Sequence, residues 1–336
     1  MQDFDVLAVG NAIVDVIAQA DEAFLAREGI AKGSMRLIPA EEAQALYAKM
    51  GPGREVSGGS AANSCAGIAA LGGRAAFIGR VSDDQLGAVF AHDIRAAGVD
   101  YRTPPVVGGP PTGQCLILVT ADGQRTMNTY LGSCQEVDAE DIDEERVRAA
   151  KVTYLEGYLW DPPAPIRACT RAMEIAKAAG RTVAMTLSDV FCVEGHREDF
   201  LRLLAGPVDL VFANENEAKA LFRTDDTDTA IAEMARAARL AVITRSEKGA
   251  VVVKGDARHA VPAQKVARVL DTTGAGDLFA AGFLVGFTRG RPLAECAIMG
   301  TIAAAEVIEH YGARPESDLK ARVAAVLGAD ALGAAA

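Results

Sequence analysis

Short apolar runs of strand length alternate with longer helical runs through most of the 336 residues. Val6–Val9, Ala75–Ile78, Lys151–Leu155, Thr182–Leu187, Val208–Phe212 and Ala241–Thr244 read as strands. Between them, Ala61–Leu71, Ile166–Ala179, Glu215–Phe222 and Thr227–Arg239 read as helices. Strands buried on both faces lose the polar alternation of a half-exposed strand, and parallel strands need a helical crossover. The pattern predicts a doubly wound α/β fold, with a mostly parallel sheet flanked by helices.

Two stretches break this rhythm. Residues 12–56 contain Gly33, Pro39 and Gly51-Pro52-Gly53. Residues 101–131 contain Pro104-Pro105, Gly108-Gly109-Pro110-Pro111 and the turn Ala121-Asp122-Gly123 between two β-rich runs. They are expected to form a small discontinuous β lid. The large domain then comprises residues 1–11, 57–100 and 132–330. The alanine-rich tail after Leu327 is expected to fray.

Composition bounds the function. The net charge of −11 argues against binding nucleic acid or an anionic membrane surface. The six cysteines show no CxxC spacing and the four histidines no cluster, which fits a reduced cytoplasmic protein. The first residues are acidic where a signal peptide is basic, and no apolar run reaches transmembrane length.

Ligands of doubly wound sheets bind beyond the carboxyl ends of the strands. Five polar segments fall at such places. Asp271-Thr272-Thr273-Gly274-Ala275-Gly276-Asp277 precedes the apolar run Leu278–Leu284, so it is a glycine turn at a helix N-terminus. Free amides and the helix dipole there welcome an anion. An acid beside an anion hole suggests a base that deprotonates an attacking hydroxyl; equally, Thr273 or Asp277 can cap the helix. After the first strand, Gly10-Asn11 and Asp15 offer an acid to vicinal hydroxyls, or an ordinary turn and cap. Ser57-Gly58-Gly59-Ser60-Ala61-Ala62-Asn63 opens a helix with two glycines, where a ligand can come close to the backbone. Asn214 and Glu217 have capping-box spacing, or face phosphates and hold Mg²⁺ through water. Thr244 to Ala250 either wraps a nucleotide or forms a hairpin.

Taken in this order, the Asn11/Asp15, Gly58-Gly59/Asn63, Asn214/Glu217 and Asp271–Asp277 motifs resemble the ribokinase-like (PfkB) carbohydrate kinases over about residues 5–315. The resemblance implies transfer of the ATP γ-phosphate to a hydroxyl of a small-molecule nucleoside or sugar. Asp277 would be the base, and Gly274, Ala275 and Gly276 the anion hole. Asn11, Asp15, Gly58, Gly59 and Asn63 would hold the acceptor. Asn214 and Glu217 would serve Mg²⁺ and the phosphates, and Thr244, Gly249 and Thr272 the nucleotide. Asp271 and Thr273 match positions that bind a monovalent cation, K⁺ for instance, in some members.

Three features are similar to the adenosine kinase branch and imply the 5′-hydroxyl of a ribonucleoside, adenosine giving AMP. They are the 43 residues from Asp15 to Gly58, Pro111-Thr112-Gly113-Gln114-Cys115 with Arg125 behind it, and Leu187-Ser188-Asp189-Val190-Phe191. Arg125 would bring positive charge to the transferred phosphoryl group as the lid closes. Phe24, Tyr130, Tyr158 and Phe191 are the candidates to stack on a base. Ala12 and Ile13 replace the usual Pro-Leu of that branch, and a free sugar is the alternative acceptor. An exposed lid edge strand leaves monomer and lid-mediated homodimer both open.

Overall fold

The structure is a computed structural model that describes residues 3–332. Nine strands form the main sheet. Their spatial order is Ala257–Val261, Ala250–Lys254, Ala241–Thr244, Leu210–Asn214, Thr182–Thr186, Ala150–Glu156, Phe4–Val9, Ala75–Ile78 and Asp100–Tyr101. The seven from Ala241–Thr244 onward pair in parallel, and the other two add as an antiparallel edge.

Every residue of Phe4–Val9 is buried. Because side chains alternate across a strand, Val6 and Ala8 enter the core on one face, and Leu7 and Val9 the core on the other. The first core is closed by helices Ser60–Ala70, Ala275–Thr288 and Leu293–Val307. The second is closed by helices Pro163–Ala178, Val190–Ala205, Glu215–Phe222 and Thr227–Ala237. This is the doubly wound arrangement. No helix among the described residues is long and apolar enough to cross a membrane.

Five strands form a second sheet, in the order Met35–Leu37, Arg125–Tyr130, Gly113–Val119, Ile13–Gln19 and Gly53–Gly58. One face, carrying Val16, Leu116 and Leu118, is covered by two short helices, Glu22–Arg27 and Ala40–Tyr47. Those helices are absent from the sequence reading. They are six and eight residues long, and the intervening Gly29, Gly33 and Pro39 read as turns. The opposite face presents Ile13, Asp15, Cys115, Met127 and Thr129 to the main sheet.

Only Gly10, Asn11 and Ala12 separate the last residue of Phe4–Val9 from the first of Ile13–Gln19, so the chain passes from one sheet to the other within three residues. It returns at Gly59, between Gly53–Gly58 and the helix Ser60–Ala70. Gly59 has φ +94°, and a Cβ there would lie 2.1 Å from the Asn11 carbonyl oxygen. Only glycine permits both the dihedral and the contact. The tail differs from expectation: Ala329–Leu332 forms a 3₁₀ turn with Ala331 buried, and residues 333–336 lie outside the described residues.

Candidate active site

The strands flanking Phe4–Val9 place the site. From Phe4–Val9 the chain proceeds to Ala75–Ile78 on one side, while Ala150–Glu156 and its successors fill the other. The order therefore reverses between Phe4–Val9 and Ala150–Glu156, and a crevice opens at their carboxyl ends. A cavity of about 490 Å³ lies there, roofed by the second sheet.

Asp277 sits at its floor, in the first turn of Ala275–Thr288. It does not cap that helix; the N-cap is Gly274, in the left-handed region at φ +79°. The capping reading of Asp277 and Thr273 thus fails. Instead Asp277 Oδ1 accepts from Ser60 Oγ at 2.6 Å and Oδ2 accepts from Asn63 Nδ2 at 3.1 Å. Burial pushes its carboxyl above the ordinary aspartate range, and these two hydrogen bonds oppose the push. The amides of Gly276 and Asp277 donate to no acceptor among the described residues, so they are free for an anion. Ala275, expected in the anion hole, spends its amide on the Thr272 carbonyl at 3.2 Å.

The expected acceptor residues converge on the same cavity. Asn11, Asp15, Gly59 and Asn63 line it. Gly58 does not, but a Cβ on it would meet the Asp15 carboxylate at 2.7 Å, so it makes room for that side chain. Asp15 accepts no hydrogen bond within the protein among the described residues. Burial lifts its carboxyl to about 7, against the pull of Arg125 and Arg314.

On the other wall, Asn214, Glu217, Thr244, Thr272 and Thr273 line the cavity. The capping box is present: Asn214 Oδ1 accepts from the Asn216 and Glu217 amides, and Glu217 Oε2 accepts from the Asn214 amide at 3.0 Å. Burial raises Glu217 to about 7. No group of three or more His, Cys, Asp or Glu side chains able to hold a metal lies among the described residues. Both Glu217 oxygens accept from Asn214, so a divalent ion at this wall would be held mainly by phosphate oxygens and water, with Glu217 able to reach it only through water.

Four expected residues are engaged otherwise. Gly249 lies away from the cavity and closes the turn into the antiparallel strand Ala250–Lys254, so the hairpin reading of that segment holds. Its φ is +83°, and an added Cβ would lie 2.0 Å from the Val261 carbonyl oxygen. Gly249→Ala is therefore expected to lower stability by at least ~1–3 kcal/mol with the acceptor KM unchanged, checked by urea unfolding and steady-state kinetics. Arg125 does not line the cavity. Its guanidinium pairs with Asp271 at 2.7 Å and donates to Thr273 Oγ1 at 3.1 Å, tying the small sheet to the Asp271–Asp277 turn. Asp271 also accepts from the Thr273 and Gly312 amides at 3.0 and 2.9 Å. The two positions expected to hold a monovalent cation are thus engaged by a guanidinium.

Sequence reasoning missed Glu156, Ser60 and Arg314. Glu156 ends the strand Ala150–Glu156, fully buried, and accepts from the Asn11 amide at 2.7 Å and the Ala61 amide at 2.9 Å. It bridges the two strand ends at which the order reverses, and burial raises its carboxyl to about 7. Its signal was an acid ending an apolar strand. Ser60 lies inside a recognised motif, and Arg314 in a loop that no motif marks.

Aromatic and apolar side chains occupy the rest. Tyr158 and Phe191 line the cavity with their ring centroids 5.9 Å apart. Ser188, at φ +73°, accepts from the Gly157 amide with Oγ and from the Tyr158 hydroxyl with its carbonyl, holding that corner in place. Phe24, on the helix Glu22–Arg27, packs half-buried against the core of the small sheet, away from the cavity, and Tyr130 packs against the same core.

The chain matches the family model described as pfkB family carbohydrate kinase over residues 5–320. It is 55% identical to the adenosine kinase from Sinorhizobium meliloti, with a TM-score of 0.90 over 95% of this chain and 98% of that one. It is 52% identical to a probable sugar kinase from Rhizobium etli, also at 0.90, over 95% and 97%. Adenosine kinase of Saccharomyces cerevisiae is 27% identical over 91% of this chain and 95% of its own length. A match over this span, on a fold shared at such identity, places the chain in the pfkB family of carbohydrate kinases, phosphotransferases with an alcohol group as acceptor.

Proposed function

We propose that the protein transfers the γ-phosphoryl group of ATP to the 5′-hydroxyl of a ribonucleoside, adenosine in the first place, with AMP and ADP as products. The observation that carries this reading is apolar surface facing across the cavity. Tyr158 and Phe191 lie on the main domain, and Met35 and Leu37 on the edge strand of the small sheet. Phe191, Met35 and Leu37 are 38%, 36% and 48% exposed as they stand. A planar base between them buries that surface; a free sugar leaves it wet. The 55% identity to an adenosine kinase supports the same acceptor.

Asp277 takes the proton of the 5′-hydroxyl as its oxygen bonds to the γ-phosphorus and the bond to the β-phosphate oxygen breaks. The amides of Gly276 and Asp277 receive the negative charge of the phosphoryl group. Asp15 accepts from the ribose hydroxyls and fixes the reacting one. On the phosphate side of the cavity Glu217 would hold Mg²⁺ through water, and the ion would there neutralise phosphate charge. The two excursions that build the small sheet, Ile13–Gly58 and Gly113–Tyr130, act as a lid that excludes water, since water in the acceptor's place would be phosphorylated.

The test is a competition. Adenosine, inosine, ribose, fructose and 2-keto-3-deoxygluconate are offered together at equal concentration with ATP and Mg²⁺. Adenosine is expected to be phosphorylated first. Preference for a free sugar overturns the acceptor and leaves the kinase chemistry intact. Phe191→Ala is expected to raise the adenosine KM by roughly 5–150-fold, the ~1–3 kcal/mol typical of a base–aromatic stack, with a smaller change in kcat. An unchanged KM removes Phe191 from the base site.

A further inference from the structure

The base does not stand alone. Behind Asn63, which donates to Asp277 Oδ2, lies Arg314, whose Nε donates to Asn63 Oδ1 at 3.4 Å. We propose that Arg314 is a positioning residue: by holding the Asn63 carbonyl oxygen, it keeps the Asn63 NH₂ group aimed at Asp277 and so keeps that carboxylate ready to accept a proton. The proposal rests on the reading of Asp277 as the base.

Donor and acceptor chemistry dictates the orientation. A guanidinium only donates and an ionised carboxylate only accepts, so an amide between them must turn its oxygen to Arg314 and its nitrogen to Asp277. Without Arg314 the amide can turn over once Asp277 is protonated, and its oxygen then accepts the Asp277 proton. That alternative stabilises the protonated acid, the form that cannot act as a base. Arg314 removes it.

The loop that carries Arg314 is built to hold it still. The Gly312 amide donates to Asp271 Oδ2 at 2.9 Å, and the Glu316 and Ser317 amides donate to Glu306 Oε1 at 3.0 and 2.7 Å. Asp271 and Glu306 are both buried. Two fixed carboxylates therefore clamp residues 312–317 on either side of Arg314, and one of them belongs to the turn that presents Asp277. Arg314 Nη2 is itself buried without a hydrogen-bond partner, so the side chain is not retained by a full set of its own bonds.

Other titrating groups face this centre. Asp15 on the small sheet, Glu156 and Tyr154 on the strand Ala150–Glu156, and Tyr158 beyond it all interact with Asp277, Arg125 and Arg314 act on Asp15, and Asp93 and Cys65 also act on Arg314. Asp15 is assigned to acceptor binding, so its titration enters KM. The base is read from kcat at saturating acceptor.

The experiment measures kcat against pH at saturating ATP-Mg and adenosine, or the sugar if a sugar is the faster acceptor. In Arg314→Met the acid limb is expected to move upward by on the order of one pH unit, with activity recovering at alkaline pH. Asn63→Ala should move it similarly, and the double variant no further than either single one. Arg314→Lys, which still donates, should leave it in place. Arg314→Gln, neutral and too short to keep the contact, substitutes for Arg314→Met if the latter does not fold. A limb unmoved in the neutral Arg314 variants, or moved as far by Lys as by Met, overturns the proposal. Turnover retained in Asp277→Asn defeats the base reading itself; an inactive Asp277→Asn with unmoved limbs defeats the role of Arg314 alone.

Discussion

Asp277→Asn is expected to fold normally and to lose ~10²–10⁴-fold in kcat, the usual worth of a positioned general base. The substitution is nearly isosteric, and the Ser60 hydroxyl can rotate to suit an amide, so the floor of the cavity is retained. What is lost is the capacity to take a proton. ATP affinity should hold or tighten, because a negative charge leaves the neighbourhood of the free Gly276 and Asp277 amides. The check pairs ADP release under saturating substrates with ATP binding by calorimetry. Turnover within a few-fold of the parent protein removes Asp277 from the chemistry. Helix capping can no longer account for this residue, since its side chain bonds Ser60 and Asn63 rather than its own helix.

The wild-type pH profile follows from the same environment. Burial raises the Asp277 carboxyl, so the ionised base is lost as pH falls at a higher pH than for a free aspartate. Ser60 and Asn63 counter this by bonding the ionised form. Removing either donor shifts the loss further upward, and the Ser60→Ala profile measured beside that of Asn63→Ala apportions the two.

The sequence was most legible where local chemistry decides the structure. The strand Ala75–Ile78 and the helix Glu215–Phe222 have the limits their apolar runs and capping residues imply. The glycine turn at Gly274 likewise announces a helix start with open amides. Legibility fell where partners lie far apart in the chain. Arg125 reads as a free lid cation until its partner, 146 residues on, is known to be Asp271. Glu156 reads as the end of a strand, because its acceptor role depends on amides at positions 11 and 61. Arg314 reaches Asn63 across 251 residues, and no short motif encodes that distance. The two helices of the small sheet were hidden by another cause: their sequence is short and interrupted by glycine and proline, and tertiary packing on Val16, Leu116 and Leu118 makes up for weak local propensity.

Asp15→Ala is expected to raise the KM of the acceptor by about 10–150-fold, the roughly 1.5–3 kcal/mol carried by a hydrogen bond to a charged group, with ATP binding unaffected. The expectation stands on an unusual feature: Asp15 faces the cavity, accepts nothing from the protein among the described residues, and is given its space by Gly58. Its oxygens are left for ligand hydroxyls. If those are the vicinal hydroxyls of a ribose, 2′-deoxyadenosine should already be a poor acceptor for the parent protein; equal use of both nucleosides removes this role. The pH dependence has a definite sign. Burial first, against the attraction of Arg125 and Arg314, puts the Asp15 carboxyl at about 7 rather than 3.8. Hydroxyls donate to the ionised form, so binding below about pH 7 must first expel a proton, and acceptor KM should climb as pH falls, by up to about tenfold per unit. Stability moves in the opposite sense. Between 3.8 and about 7 the folded protein holds a proton on Asp15 that the unfolded chain has lost, so the protein is destabilised as pH rises through that window. Asp15→Asn should therefore melt higher than the parent at pH 7 and above and level with it near pH 4, while binding its acceptor worse at neutral pH. A carboxylate kept where it weakens the fold and serves the ligand is what a binding site, rather than a packing site, requires.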